Sequence, residues 1–409
     1  MLGIAATAQF LSGPGQSYSV AAFKGPMETS LGLSDTDYSL AYGVATVASG
    51  LSLPFFGRMV DRLGARRLLP FVALSLSAAC LFMATVRDLG SLYVSFAMVR
   101  CLGQGALTLL ATWLINEWFQ RRRGFATALA GIGSSLSVVA FPVGNSWLIG
   151  TLGWPAAWVV LGIVVAVTLV IPTHLLVRDR PEELGLQPDG DAPQPEEQST
   201  TVDLEDSWSV TEALRDVTFW KLLAVGASSG MVGTGMIFHQ VGLLGSRGVS
   251  PEIALGLISF QAVVATIAAL GVGWLTDRLP NQRLLGIAML LLATSVALVW
   301  HMSTPALAFV YAALMGLHGS ILRSAGMVVW VNFYGRRNQG AIRGIVFSAM
   351  ILAAAVGPLP LAIARDHWGT YTPALFTFVV IPLVSGALAL SARPPQRRTA
   401  LVSSAEHPS

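Results

Sequence analysis

The chain has 409 residues, of which 54% are hydrophobic and only 11% charged, with a mean hydropathy of +0.64. A soluble globular protein carries about 25% charged residues, so this composition excludes a water-facing fold. A net charge of +3 and a pI near 9.1 do not point to nucleic acid, because the basic residues sit in short clusters between apolar blocks rather than on one soluble domain.

Met1 opens directly on the apolar run Leu2 to Phe23, which lacks a basic leading region and a small-residue cleavage site. That run reads as a first membrane span and not as a removable signal, with a start upstream of Met1 left open. Further apolar blocks follow, each long enough to cross about 30 Å of hydrocarbon as a helix. Val159 to Val167 is apolar without alternation, which excludes the strands of a β-barrel. The blocks predict spans at 2–23, 36–56, 68–86, 92–115, 124–148, 155–177, 219–242, 252–275, 284–303, 306–333, 343–363 and 371–392. Cys80 and Cys101 both fall inside such blocks, which leaves no disulfide framework or zinc spacing. The expected fold is an all-α membrane protein of twelve transmembrane helices in two pseudo-symmetric six-helix bundles, 1–177 and 217–392. They are joined by a polar cytoplasmic linker, 178–216, and followed by a cytoplasmic tail, 393–409.

With both termini placed in the cytoplasm, 19 of the 25 lysines and arginines fall inside, and Lys24, Arg87, Arg247 and Arg365 fall outside. Arg100 and Arg323 remain within spans. The asymmetry follows the positive-inside rule. The halves also repeat at a fixed separation of 216 residues, pairing Gly32 with Gly248, Ser34 with Ser250, Gly57 with Gly273, Asp61 with Asp277 and Arg62 with Arg278. Duplicated halves of this kind hold a substrate near midplane, where they meet.

Between the second and third spans stands Gly57-Arg58-Met59-Val60-Asp61-Arg62-Leu63-Gly64-Ala65-Arg66-Arg67, with a partial copy at Gly273-Trp274-Leu275-Thr276-Asp277-Arg278. The first resembles the G-x-x-x-D-R-x-G-x-R-R signature of the major facilitator superfamily. Gly57 is expected to let helices approach closely, and Asp61 to form charge pairs across the cytoplasmic side. Gly57, Asp61, Arg62, Gly64, Arg66, Arg67, Asp277 and Arg278 are therefore the predicted gating residues. Ser12-Gly13-Pro14-Gly15-Gln16, the segment Arg180 to Gly190, and Gly335-Arg336-Arg337 are together similar to the bacterial monocarboxylate-carrier and oxalate:formate-antiporter-like group. That resemblance implies small carboxylates as substrates, carried in the bacterial inner membrane. It departs at Ala269-Leu270-Gly271-Val272-Gly273, where members often carry Arg-Pro-x-x-Gly. The eleventh span, from Gly344 to Ala364, likewise has no lysine or arginine, and Ala140-Phe141-Pro142-Val143-Gly144 only partly matches the antiporter pattern.

An ionised side chain near the bilayer centre costs at least about 2.5 to 3.5 kcal/mol, so each is a functional candidate. Arg323 lies thirteen residues above Arg336, about 20 Å by helix rise and hence near midplane, on a face with Ser320, Met327 and Trp330. Arg100 shares a face with Gln104 and reads either as a structural arginine or as a coupling group. No carboxylate falls in the interior of a predicted span, with Glu117 at an inner end and Asp35, Asp37 and Glu252 at outer ends, which favours an anion over a cationic drug. The expected substrate is thus a small organic anion held by Arg323, with Arg100 as second choice, the competing reading being an Arg323 that snorkels or bonds backbone carbonyls. Gln104, Gln16, Tyr42, Gln261, His318 and His239 are further predicted cavity residues, His318 reading also as a satisfied interhelical bond. The Gly13-Pro14-Gly15 break and the glycines of the seventh span are expected bending points.

No nucleophile elbow or phosphate-cradling motif is present, so neither an enzyme nor an ATP-driven pump is expected, and no cofactor or metal. The expected partners are the lipid bilayer, the anion and a proton as candidate symported ion, around a monomer. Efflux of a neutral or amphipathic compound, and a sensor without turnover, are the competing readings.

Overall fold

The computed structural model describes residues 1–119, 123–185, 208–276, 278–302, 304–335 and 338–395. Among these it is helical throughout, without strands, and eleven of its helices are long and apolar enough to cross a membrane. The first crossing is not one helix but two, Leu2–Leu11 and Ser17–Leu31, joined by a tight turn over Gly13–Gly15. The predicted bend is therefore real, and its cause is local. A Cβ on Gly15 would strike the Val99 carbonyl, so only glycine lets the turn press against the fourth span, which runs over Leu89–Trp118.

Spans two to six are Asp35–Leu63, Ala65–Met83, Leu89–Trp118, Arg123–Leu152 and Trp154–Leu176. The seventh to tenth are Val217–Gly245, Pro251–Thr276, Asn281–Trp300 and Pro305–Tyr334. The eleventh is built from Gln339–Val356 and Pro358–Trp368, and the twelfth is Thr372–Leu390. Two expectations shift. The first span reaches Leu31 rather than residue 23, because a proline removes only one helical bond and the helix carries Pro26 through. Lys24, expected beyond the end of the span, consequently lies within this helix. The signature from Gly57 to Leu63 is likewise the last turns of the second helix, which ends only at Gly64, with φ 76°.

The internal repeat has a physical basis at the corresponding turns. Gly32 and Gly248 take left-handed φ values of 64° and 82°, and Ser34 and Ser250 then bond the amides of Asp37 and Ile253 to start the next helices. Each half has its own apolar core, one from Ala5 to Val177 and one from Ala213 to Ala392. Phe238 of the seventh span crosses into the first core and packs on Tyr42 at 4.4 Å. Of the linker, a short turn at Pro181–Leu184 and a helix at Val210–Arg215 are described, whereas residues 186–207 and the tail beyond 395 lie outside the described residues.

Among the described residues, hydrogen bonds between the two bundles gather in the half remote from the signature. Lys24 is buried and pairs with Asp35 at 2.6 Å and with Glu28 at 2.9 Å. Across the seam Tyr371 donates its hydroxyl to Asp35 at 3.2 Å. The His239 Nε2 lies 3.0 Å from the Pro358 carbonyl and 3.4 Å from the Ser39 hydroxyl, while Nδ1 stands 3.8 Å from the Asp35 carboxylate. Asp366 accepts from the amides of Asp35 and Thr36, satisfying the free N–H groups at the start of the second span from the opposite bundle. Deeper in, Ser259 donates to the Val139 carbonyl at 2.6 Å. This side of the molecule is closed.

Close approach of the second and eleventh spans requires glycine at position 43, since a Cβ there would lie 2.7 Å from the Ala355 carbonyl oxygen. Overpacking of this kind costs about 1–3 kcal/mol, so Gly43→Ala should open the seam by a factor of about 5 to 140. The rate at which a cysteine at position 39, buried in the closed seam, reacts with an impermeant maleimide in a Cys80→Ala, Cys101→Ala background reads this directly. An unchanged rate would mean that the contact does not hold the seam. Lys24→Met leaves two largely buried carboxylates without their cation and should destabilise the folded protein by about 3–5 kcal/mol. Thermal unfolding in detergent should show a lowered midpoint, partly restored when Asp35→Asn is added, because the second change removes the orphaned charge.

Candidate functional site

On the signature side of the seam the bundles part around a cavity of about 380 Å³. The first bundle contributes Tyr18, Ser134 and Ser135 to its wall, and the second Thr234, Gln261, His318 and Arg323. Local bonds hold this polar wall in place. Tyr18 donates to the Ser137 hydroxyl at 2.8 Å, and Ser137 in turn to the Phe10 carbonyl. Gln261 donates to Gln240 Oε1, which also accepts from the Tyr311 hydroxyl, while the Gln240 amide is anchored on the Ala254 carbonyl.

His318 lies 2.9 Å from both the Ala288 carbonyl, through Nδ1, and the Ser229 hydroxyl, through Nε2. A carbonyl can only accept, so Nδ1 carries the proton and Nε2 accepts from Ser229. Both ring nitrogens are thereby engaged, as the reading of a satisfied interhelical bond expects. Arg323 is the arginine on the wall. Its side chain is exposed to the cavity and makes no hydrogen bond or ion pair among the described residues. No carboxylate stands among the residues of that wall, so the positive charge has no counter-ion there. The site can therefore attract an anion, and a guanidinium presents the forked donors that match a carboxylate.

The other predicted binding residues do not line this cavity. Arg100 is 1% exposed, donates to the Gly15 carbonyl at 2.9 Å and to the Ser17 hydroxyl at 3.4 Å, and lies 4.5 Å from the centre of the Tyr42 ring. Its place is a strut inside the first bundle. The broken first span exposes a backbone carbonyl that it satisfies, which corrects its expected role as second anchor. Tyr42 is buried beside it and bonds Ser17, Gln16 donates to Ser12, and Gln104 is half-buried one turn beyond. His239 belongs to the closed seam.

The predicted gating residues are also redistributed. A Cβ on Gly57 would meet open space, so no close helix approach depends on it in this state. Asp61 accepts from the Trp113 indole at 3.2 Å within its own bundle, instead of pairing across the seam. Gly64, Arg66 and Arg67 open the third span, where Asp179 accepts from the Arg66 amide at 2.7 Å, and Arg62 is exposed. Arg278 stacks on Trp274 at 3.7 Å, and Asp277 lies outside the described residues. The contacts that do join the bundles run from Asp35 and Thr36 to Asp366 and Tyr371, with Lys24 holding Asp35 from within its own bundle. Sequence reasoning misses them because it ends the first span before Lys24. A lysine four residues before a glutamate, at helical spacing, is the available signal.

The family model described as Major Facilitator Superfamily matches residues 5–308 and 240–408. The oxalate:formate antiporter of Oxalobacter formigenes is 22% identical, over 95% of this chain and 91% of its own length. Human monocarboxylate transporter 11 is 26% identical, over 86% of this chain and 72% of its own. Among solved structures, a bacterial homolog of the human lysosomal transporter Spinster superposes with a TM-score of 0.74 at 17% identity, covering 96% of both chains. The duplicated helical bundles, the signature at the end of the second span and the match of the family model along the whole chain agree: this chain belongs to the Major Facilitator Superfamily, as a multi-pass membrane transporter and not an enzyme.

Proposed function

We propose that the chain is a secondary transporter of a small organic anion, a monocarboxylate, which it binds at Arg323 and moves by alternating access. The observation that carries this reading is one guanidinium without counter-ion in a cavity between two bundles. The carboxylates in the names of the oxalate:formate antiporter and the monocarboxylate transporter support the same substrate class. The bundles 1–177 and 217–392 are the rocking units. The positive-inside bias puts the signature side, and both termini, in the cytoplasm of a cell whose plasma membrane holds the protein. In that orientation the closed seam around Lys24 and Asp35 is the outer gate and the cavity faces inward. Movement from this state requires Tyr371, His239 and Asp366 to part from the first bundle.

A second reading, export of an amphipathic compound, draws on a mostly apolar space of about 330 Å³ that also touches Arg323. Counterflow in proteoliposomes separates the two. Lactate, formate or oxalate should compete with a labelled monocarboxylate while their neutral amides do not. Arg323→Gln removes a charge-assisted interaction worth about 1.5–3 kcal/mol, so apparent affinity for the anion should fall about 10- to 140-fold. Equal competition by acids and amides, or unchanged affinity in the variant, would remove the anion site.

A further inference from the structure

Arg323 stands at the boundary of two spaces. One is the polar cavity between the bundles. The other, of about 330 Å³, lies inside the second bundle among the seventh, tenth and eleventh spans, with Leu285 of the ninth. Its walls include Leu222, Val225, Leu322, Val329, Val346 and Met350, and the charged residues on them are Arg323 and Arg343. Arg343, near the start of the eleventh span, already takes part in an interaction within the protein. Of these two arginines, Arg323 is the one without a partner among the described residues.

Accepting that Arg323 holds the substrate anion, we infer that this side space receives an apolar tail on the same molecule. The substrate class is then a monocarboxylate bearing an aliphatic or aromatic tail, rather than an acid of one to three carbons. An acid that small would occupy the guanidinium and leave water against apolar walls, whereas a longer tail removes that surface from water. A dicarboxylate of similar length fits less well, because its second carboxylate would enter the apolar space without a free cation to meet it. Gly326, one turn from Arg323 on the tenth span, makes part of the room. It lines the space, and a Cβ built on it meets nothing within 4 Å.

The test is inhibition of labelled butyrate counterflow by the unbranched acids from acetate to octanoate, with succinate and adipate as dicarboxylate arms. Apparent affinity should rise about fourfold for each added methylene until the tail fills the space, then level off, with each dicarboxylate weaker than the monocarboxylate of the same length. Gly326→Leu adds a side chain to the space from a position where the Cβ meets nothing within 4 Å, and favours the helix. It should lower the ratio of octanoate to acetate affinity at least tenfold, with insertion checked by the elution profile in detergent. A flat series in the unaltered protein overturns the tail pocket, as does a dicarboxylate preference. A rising series that Gly326→Leu leaves as steep also overturns it, since the tail then binds elsewhere or partitions into lipid. Each of these results leaves the anion site intact if Arg323→Gln still weakens acetate, and failure of Arg323→Gln removes the anion site itself.

Discussion

Hydrocarbon tolerates a charged side chain only where protein groups or water replace the hydration it loses. The two intramembrane arginines meet this constraint in opposite ways. Arg100 is enclosed by one bundle and takes the Gly15 carbonyl, the Ser17 hydroxyl and the face of Tyr42. The carbonyl is available only because the first span breaks at Gly13–Gly15, and the break is possible only because glycine allows the turn to touch the fourth span. Charge, helix break and helix contact form one unit. Arg323 has no such enclosure and faces the space between the bundles, where water or an anion must serve it.

The same constraint shapes the closed seam. Lys24, Glu28 and Asp35 all belong to the first bundle, so their ion pairs do not cross the seam. The contacts that do cross it are hydrogen bonds to the first bundle made by Tyr371 as donor, by His239, and by Asp366 as acceptor. A charge cluster that carries its own counter-ions can stand at the boundary between the bundles without drawing charge from the other side. Gly43 against Ala355 adds shape to this boundary, since two backbones meet there with no side chain between them.

The comparison of Arg323 with His318 shows how neighbouring polar residues on one helix take different work. His318 is held by Ser229 and by the Ala288 carbonyl, which ties the tenth span to the seventh and ninth. Arg323 lies on another face of the same helix and is left between a polar and an apolar space. The seventh, ninth and tenth spans are thus locked together around a charge that none of them neutralises.

Much of this is legible in the amino-acid sequence. Apolar blocks, their charge flanks and the repeat at 216 residues determine a duplicated helical membrane protein, because bilayer thickness and backbone hydrogen bonding permit few other solutions. Arg323 also stands out in the sequence, as an isolated charge in an apolar block. Which arginine is a strut and which faces the cavity is decided by tertiary packing alone. Both sit in apolar sequence beside small residues, and only the meeting of the Gly15 turn with the fourth span supplies Arg100 with its partners. The gate is hidden for a similar reason. Lys24 looks like a loop cation beside Gly25 and Pro26 until the helix continues through them, and its neighbours Asp35, His239 and Tyr371 come from three other spans, brought together only when two bundles close.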